Sequence, residues 1–263
     1  MNPLSLSKKK QLRALLTVKG RYESRKFLAE GERCVREILN ATPGIVMSVI
    51  STAAWLKENA FWVEAANKNV EFLVADEKEL KELSSLNTPP KVIAVCEFCT
   101  GVWKDPTSLR DKLSLALDCI QDPGNFGTII RLADWWGIKD IICSKGTVDV
   151  YNPKVIQSTM GALSRVNVFE APSLVEYLRE AVQVGLPIYG TFLDGDNLFK
   201  SRLSLSGILV MGNEGNGITN DVASVVTNRL SIPCWPLENE HVESLNVGTA
   251  TAIFLAEFRR RLF

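Results

Sequence analysis

From residue 113 onward, short apolar runs alternate with amphipathic stretches of helical length, and few folds accommodate that alternation. The first run, Leu113-Ser114-Leu115-Ala116-Leu117-Asp118-Cys119-Ile120, is nearly continuous in its apolar character. Strands with one wet face alternate instead, so this run reads as a strand buried on both faces of a parallel sheet. Further strands are predicted near 140–143, 166–169, 187–191, 207–211 and 230–232, with helices near 128–136, 153–163, 173–184, 221–227 and 246–261. Residues 112–263 are therefore expected to form an α/β domain on a mainly parallel sheet.

A shorter alternation precedes it, with strands predicted at 27–29, 45–50, 71–74 and 92–98 and helices over 8–26, 32–40, 52–67 and 76–83. It suggests a smaller α/β domain over 1–100. The stretch 101–111, with Gly101, Pro106 and several charges, reads as a linker. Hydrophobic residues at 46% and charged residues at 23% exclude a disordered chain. Thirty Lys and Arg balance thirty Asp and Glu, but residues 1–26 alone carry +7, from Lys8, Lys9, Lys10, Arg13, Lys19, Arg21, Arg25 and Lys26 against Glu23. Such a segment suits RNA phosphates, and an ordinary solvated helix face accounts for it as well. No run reaches the roughly 18 apolar residues of a membrane span, and the first residues lack a signal-like apolar stretch, so no membrane partner is expected and a cytoplasmic, reducing location is. Cys96 and Cys99 form a lone C-x-x-C in a chain with one histidine, His241, so no metal site is expected and the thiols read as buried or incidental.

Ligands of open α/β sheets bind beyond the carboxyl ends of the strands, and three segments there are rich in glycine and polar residues. Gln121-Asp122-Pro123-Gly124-Asn125-Phe126-Gly127 leads into a helix that carries Arg131. Free N–H groups at that helix start would favour an anion, whereas a plain turn with a solvated Arg is the simpler account. Gly212-Asn213-Glu214-Gly215-Asn216-Gly217 follows an apolar strand, and its glycines let the main chain approach a flat ligand. Its order, G-x-x-G-x-G, is not the dinucleotide fingerprint G-x-G-x-x-G, which disfavours a nucleotide-dependent oxidoreductase. Ser244-Leu245-Asn246-Val247 opens the last helix, where Ser or Asn ordinarily serves as the N-cap. No Ser-His-Asp set, H-E-x-x-H pair or phosphate-binding G-x-x-x-x-G-K-[ST] loop is present.

In this order the three segments resemble the motifs of the SpoU/TrmH family of RNA 2′-O-ribose methyltransferases, in the SPOUT superfamily. The first corresponds to Asp122-Pro123, Asn125, Gly127, Arg131, Ala133 and Gly137. The second corresponds to Gly212-Asn213-Glu214-Gly215 and Gly217, and the third to Ile232-Pro233 with Ser244-Leu245-Asn246-Val247. Asn152-Pro153-Lys154, Ser158 and Gly161-Ala162 also look like the family. Phe27-Leu28-Ala29-Glu30-Gly31 and its basic lead-in resemble the L30e-like substrate-binding domain of many members. One departure is the stretch between Pro233 and Ser244, which is longer than the family's usual loop and lacks its glycine.

The resemblance implies a trefoil knot in the carboxyl-terminal sheet, S-adenosylmethionine as methyl donor, and a homodimer with RNA sites completed across the interface, the apolar residues 250–258 contributing to the contact. It implies a cofactor cradle of Thr191, Gly212, Asn213, Glu214, Gly215, Ile232, Leu245 and Asn246. Asn125, Arg131, Glu214, Ser244 and Asn246 become the catalytic or substrate-orienting group. The basic residues of 1–26 become RNA contacts, with ribosomal RNA preferred over transfer RNA. A non-catalytic RNA-binding protein that kept the fold is the competing reading.

Overall fold

The computed structural model describes residues 2–65, 70–235 and 244–260. Two compact units emerge, one of residues 1–99 with 149–165 and one of 100–148 with 166–263.

The first unit holds β1 (Asn2–Pro3), α1 (Leu6–Ala14), α2 (Val18–Ser24), β2 (Lys26–Glu30), α3 (Glu32–Ala41), β3 (Val46–Ser51), α4 (Ala53–Glu58), α5 (Ala60–Ala65), β4 (Glu71–Val74), α6 (Glu77–Glu82) and β5 (Val92–Glu97). Its sheet runs β1-β4-β3-β5-β2, with β5 antiparallel to both of its neighbours and the other pairings parallel. The basic stretch is two helices rather than one. The Thr17 hydroxyl donates to the Ala14 carbonyl and accepts from the Gly20 N–H, which ends one helix and caps the next. Asn59 divides 52–67 in the same way, its side-chain amide donating to the Trp55 carbonyl.

The second unit continues with β6 (Leu113–Leu117), α7 (Pro123–Trp135) and β7 (Asp140–Cys143). The chain then gives α8 (Pro153–Thr159) to the first unit and resumes with β8 (Asn167–Glu170), α9 (Leu174–Gln183), β9 (Ile188–Asn197), β10 (Gly207–Met211), α10 (Asn220–Ala223), β11 (Asn228–Ser231) and α11 (Val247–Arg260). Six strands form one sheet in the order β11-β9-β10-β6-β7-β8, and every pairing is parallel. Burial on both faces explains the unbroken apolar run that announced β6, whose five residues are all buried. No helix among the described residues is long and apolar enough to cross a membrane.

Two segments sit differently from the sequence reading. Residues 101–111 are built into the second unit rather than bridging: Leu109 is fully buried, the Tyr177 hydroxyl donates to the Lys104 carbonyl, and Asp105 caps a short helical turn over 106–109. Residues 149–165 belong to the first unit, where the Tyr151 ring stacks on Phe98 at 3.7 Å and lies 5.1 Å from Phe27. Helical periodicity locates α8 but says nothing about which sheet receives it.

Candidate functional site

Strand order puts a topological switch between β6 and β10: the chain leaves β6 for β7 on one side and leaves β10 for β11 on the other. Loops that diverge from adjacent strand ends leave a crevice between them, the usual ligand position in such sheets. The first two motif segments follow these two strands.

After β6, the helix starts five residues sooner than its pattern indicates. Pro123 occupies the first turn, where its missing N–H costs nothing, and the Asp122 carboxylate caps the helix by accepting the Asn125 backbone N–H at 2.7 Å. That carboxylate takes one of the N–H groups at the helix start that the sequence left open to an anion. What the early start does is fix Asn125 in the first helical turn, beside the other two segments.

There its side-chain amide donates to Glu214 Oε1 at 3.0 Å, and its Oδ1 accepts from the Asn246 amide at 2.9 Å. Asn246 Oδ1 is fixed in turn by the Gly248 and Thr249 N–H groups, so Asn246 is the N-cap of α11 as the sequence suggested. An oxygen so occupied leaves the Asn246 amide nitrogen as donor, and a carboxylate can only accept, so the polarity of the row from helix end to Glu214 is fixed.

The segment after β10 folds back on itself through reciprocal Asn213–Gly217 backbone hydrogen bonds of 2.9 Å. Gly212 faces Gly217 so closely that a Cβ would lie 2.3 Å from its carbonyl carbon. Asn213 braces the turn, its Oδ1 accepting from the Gly215 and Asn216 N–H groups and its amide donating to the Cys119 carbonyl beyond β6. Buried Asp118 completes the brace by accepting from both the N–H and hydroxyl of Thr219.

Beside this turn lies a cavity of about 550 Å³, within the range of small-molecule sites. Thr191, Gly212, Asn213, Glu214, Gly215, Ile232, Ser244 and Leu245 line it, as do Phe192, Asp194, Met211, Val247 and Phe254, which sequence reasoning missed. Asp194 is held below the usual carboxylate range by the hydrogen bond and charge of Arg229. The signal for Asp118 was available, a charged residue directly closing a buried apolar strand. For the apolar wall there was none, because such residues read as ordinary core.

Arg131 is not joined to the row. It lies exposed on α7, six residues beyond Asn125, without a hydrogen bond or ion pair among the described residues. Ser244 reaches the cavity without a hydrogen bond to the row, and His241 with most of the long 234–243 loop lies outside the described residues. The amino-terminal cations divide into groups. Lys8, Lys9, Arg13 and Lys19 face Glu71, Glu79, Glu82 and Glu23. Arg21 as an RNA contact is corrected: only 2% exposed, its guanidinium is committed to Asp149 and to the Leu15 and Leu16 carbonyls. Lys10 and Arg25 are exposed and Lys26 is half-buried.

The pattern described as the SpoU rRNA Methylase family matches residues 112–256, more than half of the chain. This chain belongs to the SpoU rRNA methylase family. The MRM3-like substrate binding domain matches residues 7–94. Among curated relatives, the chain is similar to 23S rRNA (guanosine(2553)-2′-O)-methyltransferase RlmP of Bacillus subtilis, at 29% identity over 96% of both chains. Among solved structures it is similar to a putative RNA methyltransferase of the TrmH family from Porphyromonas gingivalis, at 37% identity and TM-score 0.84 over 98% of this chain and 99% of that one. It is also similar to an AdoMet-bound rRNA methyltransferase from Sinorhizobium meliloti, at 27% identity and TM-score 0.81 over 100% and 98%. The likeness to these full-length relatives extends over both units.

Proposed function

We propose that this chain transfers a methyl group from S-adenosylmethionine to a ribose 2′-hydroxyl of ribosomal RNA, acting as a homodimer with a knotted cofactor cradle. The row Asn246–Asn125–Glu214 beside the cavity carries the reading, because it draws all three motif segments into one place.

The residues present suit the donor. Gly212, with no room for a Cβ, lets the turn close tightly on Gly217 at the cavity wall, and Met211, Ile232, Leu245 and Phe254 offer apolar surface. Asp194 and Glu214 supply negative charge at the edge of a site for a cationic molecule. When bound, the donor supplies an electrophilic methyl on a sulfonium.

The chain's own part is to place the ribose oxygen in line with that methyl and to favour charge on the oxygen, and alignment alone is worth several kcal/mol of barrier. The polar row fixes the geometry of Asn125 and Glu214. Arg131 serves as a permanent charge, since a guanidinium is not deprotonated in proteins; it grips the neighbouring phosphate and stabilises the developing alkoxide, while another group or water takes the proton. Arg131→Lys keeps the charge and loses the fork, so single-turnover methyl transfer should fall, and more steeply for Arg131→Ala. Full rate in Arg131→Ala would remove Arg131 from the mechanism.

Ribosomal RNA is favoured over transfer RNA by relatives named for 23S rRNA. On the first unit, Lys10, Arg25 and Lys26 are the available phosphate contacts. Removing residues 1–26 would strip buried Leu4, Leu12 and Leu15 from the core, so charge reversal at Lys10, Arg25 and Lys26 is the sounder test. It should weaken RNA binding and flatten its salt dependence by about one contact per effective residue. For dimerisation, Phe254, Leu255 and Phe258 already face the core of their own unit, leaving half-buried Ala252, Ile253 and Ala256 for a partner. Transfer of labelled methyl into RNA fractions, with mapping of the modified ribose, tests the whole reading. RNA binding without donor binding would favour the non-catalytic alternative.

A further inference from the structure

The pairing of β9 with β11 has a break that shapes the cavity. Asn228 and Arg229 pair with Tyr189 and Gly190, yet the next residues, Leu230 and Ser231, pair with Asp196 and Asn197. Residues 191–195 are therefore looped out of the ladder, and Thr191, Phe192, Leu193 and Asp194 line the cavity. Two glycines close the base of the excursion. A Cβ on Gly190 would lie 2.6 Å from the Phe192 ring, and one on Gly195 would lie 2.5 Å from the Leu230 backbone.

A backbone excursion with no register partner in β11 needs other restraints to keep one shape. Thr191 Oγ1 supplies one by donating to the Val210 carbonyl at 3.1 Å. The Ser231 hydroxyl supplies a second by donating to the Gly195 carbonyl at 2.7 Å, and the middle of the excursion is held by Arg229. It stands at the break, its guanidinium lying 3.5 Å from the Phe192 ring centroid and donating to Asp194 Oδ1 at 2.7 Å. The planar, delocalised cation can stack on a ring and hydrogen-bond in its own plane at once, which an ammonium cannot do. Arg229 is not itself among the lining residues.

We infer that Arg229 is a positioning residue for the methyl donor: by clamping Phe192 and Asp194 it holds the 191–195 wall in the shape that binds S-adenosylmethionine. This rests on the proposed function, and its consequence is a specific split between binding and turnover. A wall already in its bound shape spares the ordering that binding otherwise requires, so loosening it weakens donor affinity and leaves the aligned reacting groups as they were. The pair is exposed, so its loss should barely alter thermal stability.

The test measures S-adenosylmethionine binding by calorimetry and steady-state methylation of RNA with the full chain and the Arg229→Ala and Arg229→Lys variants. Arg229→Ala should raise both the Kd and the KM for S-adenosylmethionine by about tenfold, with kcat within about twofold and KM for RNA unchanged. Arg229→Lys, which keeps the ion pair and loses the stack, should fall between. Unchanged Kd in Arg229→Ala, or full recovery by Lys, overturns the clamp. A parallel loss of thermal stability, donor binding and RNA binding also overturns it, in favour of a general structural role. If the unaltered chain binds no S-adenosylmethionine at all, the proposed function fails instead.

Discussion

Asn125 has its two amide atoms spent in opposite directions, one donating and one accepting, which a carboxylate of the same shape cannot reproduce. Asn125→Asp would set a second carboxylate against Glu214, while Asn125→Ala would free both Glu214 and Asn246 at once. Asn125→Ala should lower kcat by about a hundredfold at saturating donor, and adding Glu214→Gln to it should cost much less than Glu214→Gln costs alone. Additive losses would mean that the row does not act as a unit. At the same scale, Asp194 gives the Arg229 clamp a pH dependence. Its folded value is depressed by the Arg229 hydrogen bond, so the contact is fully present at neutral pH and is lost only as pH falls through that lowered value. Donor affinity measured from about pH 8 downward should therefore show no loss from this pair until below the ordinary carboxylate value of about 4. The thiols divide by burial. Cys234 is exposed, whereas burial pushes Cys34 up to about 12 and raises Cys143 further. Alkylation near pH 8, read by peptide mass, should label Cys234 first and reach Cys34 and Cys143 only on unfolding.

Elements are where sequence patterns succeed or fail for identifiable reasons. Strands β6, β7 and β10 are legible because double-sided burial leaves a run with hardly any polar interruption, and Asn246 is legible as a cap because it stands directly before an apolar helix. The start of α7 is not: Pro123, Gly124 and Asn125 look like turn residues, and only the Asp122 cap with Pro in the first turn shows that the helix has already begun. That cap sets the position of Asn125, so stability and activity are joined in one residue. Asp122→Ala should destabilise the second unit by about 1 kcal/mol and lower methyl transfer beyond what that instability explains, checked by denaturant titration alongside single-turnover rates. Likewise, β9 is legible as a strand only to Thr191, because a looped-out segment followed by renewed pairing leaves no periodic signature.

At the scale of the whole molecule, the order of residues along the chain and their grouping in space part company. Motif order exposes the family and the convergence of three distant segments, because each carries its own local chemistry. The membership of 149–165 in the first unit has no such signal, since Asp149, Tyr151 and Ile156 look like any acidic, aromatic or apolar positions until their partners are known. Those partners are substantial. The buried Arg21 guanidinium holds Asp149 at 2.6 Å, Tyr151 fills the space between Phe27 and Phe98, and Gly161 passes so close to α3 that a Cβ would lie 2.6 Å from Glu37 Cβ. Removing one partner of a buried pair leaves the other uncompensated, at about 3–5 kcal/mol, so Arg21→Met in the full chain should lower the unfolding free energy of the first unit by about that amount. The same packing means that residues 1–99 alone are an incomplete fold. Expressed by themselves, they should bind a hydrophobic dye and exchange their β2 and β5 amides quickly, and a synthetic peptide of residues 149–165 added in trans should reverse both effects. The peptide with Tyr151→Ala and Asp149→Asn should fail to do so, because it lacks the ring between Phe27 and Phe98 and the counter-charge for Arg21. A fragment of residues 1–99 that is already protected without the peptide would show that the segment only covers a finished surface.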